Sequence, residues 1–294
     1  MSLTQPDPVA QALINKVIPH FPRHGRVGIA YSGGVDSATL LAIAHYALGA
    51  ERTLGITAIS HSFAARERAM ARDTANQIGA RVIEVETHED EIEGYIANDV
   101  DRCYFCKDEM FEVIDQSVVD KHDLVAVAYG ENADDAVRVD RPGARAATEH
   151  NVLRPLAAAG LTKAEVRQIA AAFGLKVADK PAAPCLASRV PHGLQVNPEK
   201  LAQIEALELT LYELGFSDSR VRHHDSIARI ELPQDEMVRA MEPEIADKIR
   251  ESARAAGFTF ATVDLKGIQS GAMTLAALNK KGKLNYVGAD TQSR

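Results

Sequence analysis

Ser32-Gly33-Gly34-Val35-Asp36-Ser37 follows the apolar run Val27-Gly28-Ile29-Ala30-Tyr31 and opens an Ala- and Leu-rich stretch reaching Leu48. The run has the length of a strand and the stretch that of a helix, so the hexapeptide reads as a strand-to-helix loop. Paired glycines let the backbone turn tightly and present N–H groups to an anion, and the helix behind them adds its positive end. Ser32 and Ser37 supply hydroxyl donors for the same anion. A carboxylate beside phosphate repels it unless a cation stands between, so Asp36 implies a bound Mg²⁺. No lysine follows in the pattern of the common phosphate loop, which argues against γ-phosphate transfer by that route. The bland alternative is a helix-capping turn in which Asp36 merely complements the dipole. The full hexapeptide in this context outweighs it.

The flanking sequence extends the pattern. Leu54 to Ser60, Arg81 to Glu86 and Leu124 to Tyr129 read as further strands, and Ala64 to Ile78 as a helix ending at Gly79. Strands alternating with helices indicate βαβ units and a parallel sheet flanked by helices, an α/β fold. Ligands bind such sheets at the carboxyl ends of the strands. The Ser32–Ser37 loop and Gly130 both fall there. Ser60 and His61, after the second strand, are placed to flank adenine or ribose, and Arg66, Asn132 and Asp135 to reach phosphates and Mg²⁺. The stretch from Lys180 to Cys185 is proline-rich and non-periodic, Pro191 and Pro198 follow, and the domain transition is expected around residues 185 to 197. We expect a nucleotide domain over residues 1–190 and a smaller C-terminal α/β domain over 191–294.

Bulk properties exclude more than they assign. No run of about 18 apolar residues is present, which argues against a membrane helix. The first twenty residues lack a signal peptide's apolar stretch, so a cytoplasmic location is expected. The net charge of −8 weighs against a nucleic-acid partner.

Three cysteines, Cys103, Cys106 and Cys185, form no even disulfide framework. Cys103 and Cys106 sit at i and i+3 of a helical stretch and face one side. A structural zinc would require a fourth ligand such as His192. An iron–sulfur cluster on three thiolates would instead leave one iron open. Arg189, four residues beyond Cys185, is also placed to lower its thiol pKa. Buried, inert thiols are the remaining reading.

The hexapeptide resembles the signature of the PP-loop (adenine nucleotide alpha hydrolase-like) superfamily. Its members cleave ATP between the α and β phosphates, adenylate a substrate oxygen and release pyrophosphate. Further runs resemble one branch, the LarE family of ATP-dependent sulfur transferases of nickel-pincer cofactor synthesis. They are Gly130-Glu131-Asn132-Ala133-Asp134-Asp135, Asp140-Arg141-Pro142-Gly143, Arg154-Pro155-Leu156, Leu161 to Arg167, Asp179 to Arg189, Val221 to His224 and Val263 to Gly267. The resemblance implies ATP and Mg²⁺ as reactants at the loop. Its implied substrate is a pyridinium dicarboxylate mononucleotide, converted to a thiocarboxylate. It further implies sulfur chemistry at Cys185. In the family's better-known form this cysteine becomes dehydroalanine; in a three-cysteine branch a [4Fe–4S] cluster on Cys103, Cys106 and Cys185 carries the sulfur. Arg189, Arg220 and Arg222 would hold the substrate phosphate, Glu208 and Glu231 would bind metal at a subunit junction, and the chain would form a homo-oligomer. Gln269 departs from the pattern, where an arginine is expected. A tRNA thiolase, an amide-forming PP-loop enzyme and a non-catalytic nucleotide-binding module are the competing readings. Acidic charge disfavours the first, and no glutaminase segment accompanies the second. The module leaves the Pro-Cys loop unexplained.

Overall fold

The computed structural model describes residues 3–137 and 142–269. Asp140 and Arg141 lie outside the described residues. The chain divides into two compact units, Met1–Ile92 with Cys103–Pro184, and Glu93–Arg102 with Cys185–Arg294.

In the first unit β1 (Arg26–Ala30), β2 (Thr53–Ile59), β3 (Val82–Glu86) and β4 (Leu124–Tyr129) form a parallel sheet of order β3-β2-β1-β4. Its longer helices are α1 (Pro8–Val17), α2 (Val35–Leu48), α3 (Ala65–Ile78), α4 (Arg102–Ile114, whose first residue belongs to the second unit), α5 (Gly143–Glu149) and α6 (Lys163–Ala172). Alternation along β1 splits the core. Val27 and Ile29 pack with Leu40, Leu41 and Ile43 of α2. On the other side Ala30 of β1 and Leu54 and Ile56 of β2 pack with Phe111 and Ile114 of α4. Each fully buried Leu, Ile or Phe stabilises the fold by about 1.5–3 kcal/mol. Nine residues of α2 between Val35 and Ala44 are buried, as in a helix enclosed on most sides.

The strand order places the loops that matter. Sequence runs outward from β1 through β2 to β3, then returns to β4 on β1's other flank. The β1–β4 boundary is therefore the switch point, where an open parallel sheet leaves a crevice for ligand. Both the Ser32–Ser37 loop and Gly130 lie at that end. α6 starts beside them with a capping box: the Thr162 side chain accepts from Glu165 N, and Glu165 accepts from Thr162 N (2.8 Å).

The second unit carries an antiparallel hairpin of β5 (Arg220–His224) and β6 (Ile227–Glu231), turning at Asp225 with φ of 53°. β7 (Phe260–Val263) joins β6 in parallel. α7 (Pro198–Glu213) packs on β5, and α8 (Pro243–Ala255) packs on α7 and β7. Asn197 caps α7 by accepting from Lys200 N (2.9 Å), with Pro198 in the first turn.

Candidate active site

The loop after β1 is held by its own hydroxyls. Ser32 N donates to Ser37 Oγ (3.2 Å), the two Oγ atoms lie 3.2 Å apart, and Ser37 Oγ donates to Gly34 O (3.1 Å). Gly33 has φ of +73°, and a Cβ there would lie 2.5 Å from Ala71 Cβ of α3. Only glycine satisfies both demands. Gly130 is constrained differently: its Cβ would stand 2.7 Å from Ser37 N and 2.8 Å from Asp36 C. The end of β4 thus runs directly against the start of α2.

Asp36 is the centre of a polar network. Its Oδ2 is ion-paired with the Lys163 ammonium, and its Oδ1 accepts from Asn132 Nδ2 (3.1 Å). Asn132 also donates to Asp135 Oδ2 (3.0 Å) and accepts from Asp135 N (3.0 Å). Lys163 N donates to Asp134 Oδ2 (2.7 Å). A lysine in the first turn of a helix opposes the macrodipole, so its placement has to be offset by a partner such as Asp36. In this structure the Lys163 ammonium is the positive charge that stands beside Asp36. Sequence reasoning matched Lys163 only as part of a longer run. The capping box Thr162-Lys163-Ala164-Glu165 was the signal that fixes it at the head of α6.

Behind β2 and β3, Glu89 is 2% exposed and is surrounded by donors. Ser60 Oγ (2.5 Å) and Ser62 Oγ (3.0 Å) donate to Oε1, and Thr87 Oγ1 (2.9 Å) to Oε2. Ser60 has therefore committed its proton and can offer a ligand only an acceptor. His61 is exposed and bonded to Asp90 (2.9 Å), and Arg66 is exposed in the first turn of α3. Cys106 Sγ lies 4.0 Å from Glu89 Oε1. The next residue, Lys107, places its ammonium 4.3 Å from the centre of the Tyr129 ring at the end of β4.

Cys103 is exposed and Cys106 half-buried in α4, while Cys185 is exposed immediately before the 3₁₀ turn Leu186–Arg189; none is in a disulfide. Among the described residues no group of three or more His, Cys, Asp or Glu side chains is gathered to hold a metal.

In the second unit all three predicted phosphate-binding arginines are buried and partnered. Arg189 forms a bidentate pair with Glu208 (2.9 and 3.1 Å), whose Oε1 also accepts from Val221 N (2.9 Å). Arg222 pairs with Glu231 (2.7 Å) and donates to Ser188 O (3.1 Å). Arg220 pairs with Asp218 and donates to Ser219 O (2.7 Å). Glu231 also holds Arg229 (3.2 Å). Glu208 and Glu231, for which the resemblance implies metal binding, are engaged by arginines. Gln269 contributes its carbonyl to Arg222 (3.3 Å) rather than a cation. Among the described residues Arg222 Nε is buried with no acceptor, so a further acceptor fits there.

A parallel sheet with a Ser-Gly-Gly loop, a carboxylate and an ammonium at its switch point defines a PP-loop ATP-utilising domain. Residues 9–128 match the asparagine synthase family model. The chain is 32% identical to the pyridinium-3,5-bisthiocarboxylic acid mononucleotide synthase of Lactiplantibacillus plantarum, over 84% of this chain and 88% of that protein. It is 39% identical to an uncharacterized Synechocystis protein, over 84% of this chain and 91% of the relative. A Methanocaldococcus jannaschii protein, also uncharacterized, is 30% identical over 72% and 80%. The chain belongs to the LarE-type family of the Lactiplantibacillus synthase. No helix among the described residues is long and apolar enough to cross a membrane.

Proposed function

We propose that the chain is an ATP-dependent, AMP-forming sulfur transferase acting on a carboxylate of a pyridinium dicarboxylate mononucleotide. The observation that carries this reading is the Asp36–Lys163–Asn132 network at the switch-point loop, in a chain of this family. A substrate carboxylate oxygen attacks the α-phosphorus of ATP, the bond to the α–β bridging oxygen breaks, and pyrophosphate leaves. The acyl adenylate then has AMP as a good leaving group, which a free carboxylate lacks.

Each residue has a task in that scheme. Backbone N–H groups at Gly33 and Gly34, with the Ser32 and Ser37 hydroxyls, receive the pyrophosphate. Lys163 moves from Asp36 to the phosphates. Mg²⁺, when bound, supplies positive charge to the leaving group, and Asp36 with Asp135 would hold it. The fit rests on two carboxylates sharing Asn132. Ser60 accepts from the adenine amino group, Arg66 neutralises phosphate, and Gly130 keeps the pocket floor free of a side chain. In the second unit Arg189, Arg220 and Arg222 take the substrate phosphate. The orphaned Arg222 Nε supports this role. Exposed Phe260 and Leu265 of the same unit support self-association.

Cys185 supplies the sulfur. Its thiolate attacks the acyl carbon, AMP leaves, and a thioester forms. Loss of the Cα proton with cleavage of the Cβ–S bond then releases the thiocarboxylate and leaves dehydroalanine. A [4Fe–4S] cluster held by Cys103, Cys106 and Cys185, as the resemblance implies, would be the alternative carrier of the sulfur. Iron analysis after anaerobic reconstitution, on wild type and Cys103→Ala, tests the cluster. About four irons per chain, lost in the variant, would replace the sacrificial route with one using exchangeable sulfide. The function is tested by mixing enzyme, ATP and the mononucleotide in a single turnover. AMP, pyrophosphate and thiocarboxylate in equal amounts are expected, with the protein lighter by one H₂S. Release of ADP in place of AMP would exclude the reading.

A further inference from the structure

The loop bearing Cys185 has little regular structure, and its carbonyls need donors. Two side chains from the Glu93–Arg102 segment of the same unit provide them. Asn98 is fully buried, at φ of 54°. Its Nδ2 donates to Pro191 O (2.8 Å), Leu194 O (2.8 Å) and Val190 O (3.2 Å). Its Oδ1 accepts from Arg102 Nη1 (2.6 Å), and the same nitrogen donates to Ala187 O (2.9 Å). Asn98 O in turn accepts from Gly193 N (3.2 Å) and His192 Nδ1 (3.1 Å). Arg102 is 6% exposed.

This arrangement is specific to asparagine. Three carbonyls require an NH₂ on one side, while a guanidinium requires an oxygen on the other. The left-handed backbone is one that asparagine tolerates better than most residues. Its partners span residues 187 to 194, so one buried amide and one guanidinium fix the backbone just beyond Cys185. Cys185 itself stays exposed, with its carbonyl accepting from Ser188 Oγ (2.7 Å) and Arg189 Nη1 (3.1 Å). The sulfur is therefore free to react on a backbone that is not free to move.

We propose that Asn98 and Arg102 are positioning residues for the sulfur-transfer half of the reaction, acting by holding the Cys185 loop. The proposal rests on the assignment of Cys185 as sulfur donor. Displacement of a reacting atom by about 1 Å costs on the order of 10²-fold in rate. Adenylation draws on this loop only through Arg189, which its bidentate pair with Glu208 holds separately, so with saturating mononucleotide it stays intact. Asn98→Asp is the sharpest test, because it keeps size, backbone preference and the acceptor for Arg102 while removing the donors.

The measurements are ATP–pyrophosphate exchange in the presence of the mononucleotide, single-turnover thiocarboxylate formation, and the alkylation rate of Cys185 in a Cys103→Ala/Cys106→Ala background. Asn98→Asp should leave exchange within about twofold, slow sulfur transfer by roughly 10–100-fold, and change the alkylation rate several-fold. Arg102→Lys, which keeps the charge but loses the fork, should show the same split more weakly, and it carries the test if Asn98→Asp does not fold. Unchanged sulfur transfer in both variants overturns the proposal, as does equal loss of both half-reactions, which would mark a purely structural role. Cys185→Ala separates the two layers. If it still makes thiocarboxylate, the donor assignment fails and the positioning role falls with it. If it is inactive while Asn98→Asp is fully active, only the positioning role fails.

Discussion

The Ser32–Ser37 loop and the arginine face of β5 both offer anion-binding groups, yet they are balanced in opposite ways. At the loop, donors are backbone N–H groups and hydroxyls, and the one carboxylate is matched by a half-exposed Lys163. On β5, Arg222 and Glu231 are both buried, and Arg189 is closed in a bidentate pair with Glu208. Ligand can replace the loop's weak internal bonds at little cost, whereas the arginine face is an ion-paired scaffold with one spare donor. The difference predicts that mutations at the loop remove function and leave the fold, while mutations at the arginine face remove the fold first.

The most severe test is Glu231→Gln. It strips the charge facing both Arg222 and Arg229, and breaking a buried pair this way costs about 3–5 kcal/mol. Chemical denaturation should show a large drop in midpoint. An unchanged midpoint would break the comparison, since the arginines would then be held for ligand rather than for stability. Asp36→Asn should do the reverse. ATP–pyrophosphate exchange is expected to fall by roughly 10²–10³-fold, in line with losing one preorganised charge at a reacting phosphate. Its unfolding midpoint should stay close to wild type. Loss of stability on the same scale as Glu231→Gln would erase the distinction between the two regions.

What the sequence made legible follows the same division. The loop is contiguous, so six residues in strand–helix context announced both the fold class and the phosphate site. Strand and helix limits were legible because their apolar periods are local. The arginine partners were not: Glu208 lies on α7, Glu231 on β6 and Asp218 before β5, and nothing in local spacing tells a paired arginine from a free one. Lys163 was hidden for the same reason, since its partner Asp36 comes from the other end of the unit. Asn98 stands in an undistinguished stretch, and its role exists only through carbonyls some ninety residues away.

Gly33→Ala sharpens the loop side by a smaller effect. The left-handed backbone costs an L-residue about 1–2 kcal/mol, and the added methyl meets Ala71 Cβ. The helix α3 must give way, so exchange activity should fall together with a modest stability loss. A double variant with Ala71→Gly should recover the steric part but not the backbone part. Full recovery would mean that strain at Gly33 contributes nothing.

The smallest effect separates the two faces of β5 by pH. Arg222 points to the ion-paired side, and the next residue, His223, to the other, where it meets Phe258 (ring centres 5.0 Å) and bonds to Gln203 Oε1 (2.7 Å). Burial pushes its imidazole down to about 4, and the nearby Lys200 acts in the same direction. A histidine with a folded pKa below its unfolded value of about 6.5 takes up its proton first in the unfolded chain. Its contribution to stability is therefore complete above about pH 6.5 and declines as pH falls towards 4. The arginines do not titrate in this window. Urea unfolding of wild type and His223→Gln should thus differ most near neutral pH and converge towards pH 4. A wild-type minus His223→Gln difference that is flat with pH would show that His223 is not held neutral. The two faces of the strand would then share one electrostatic environment.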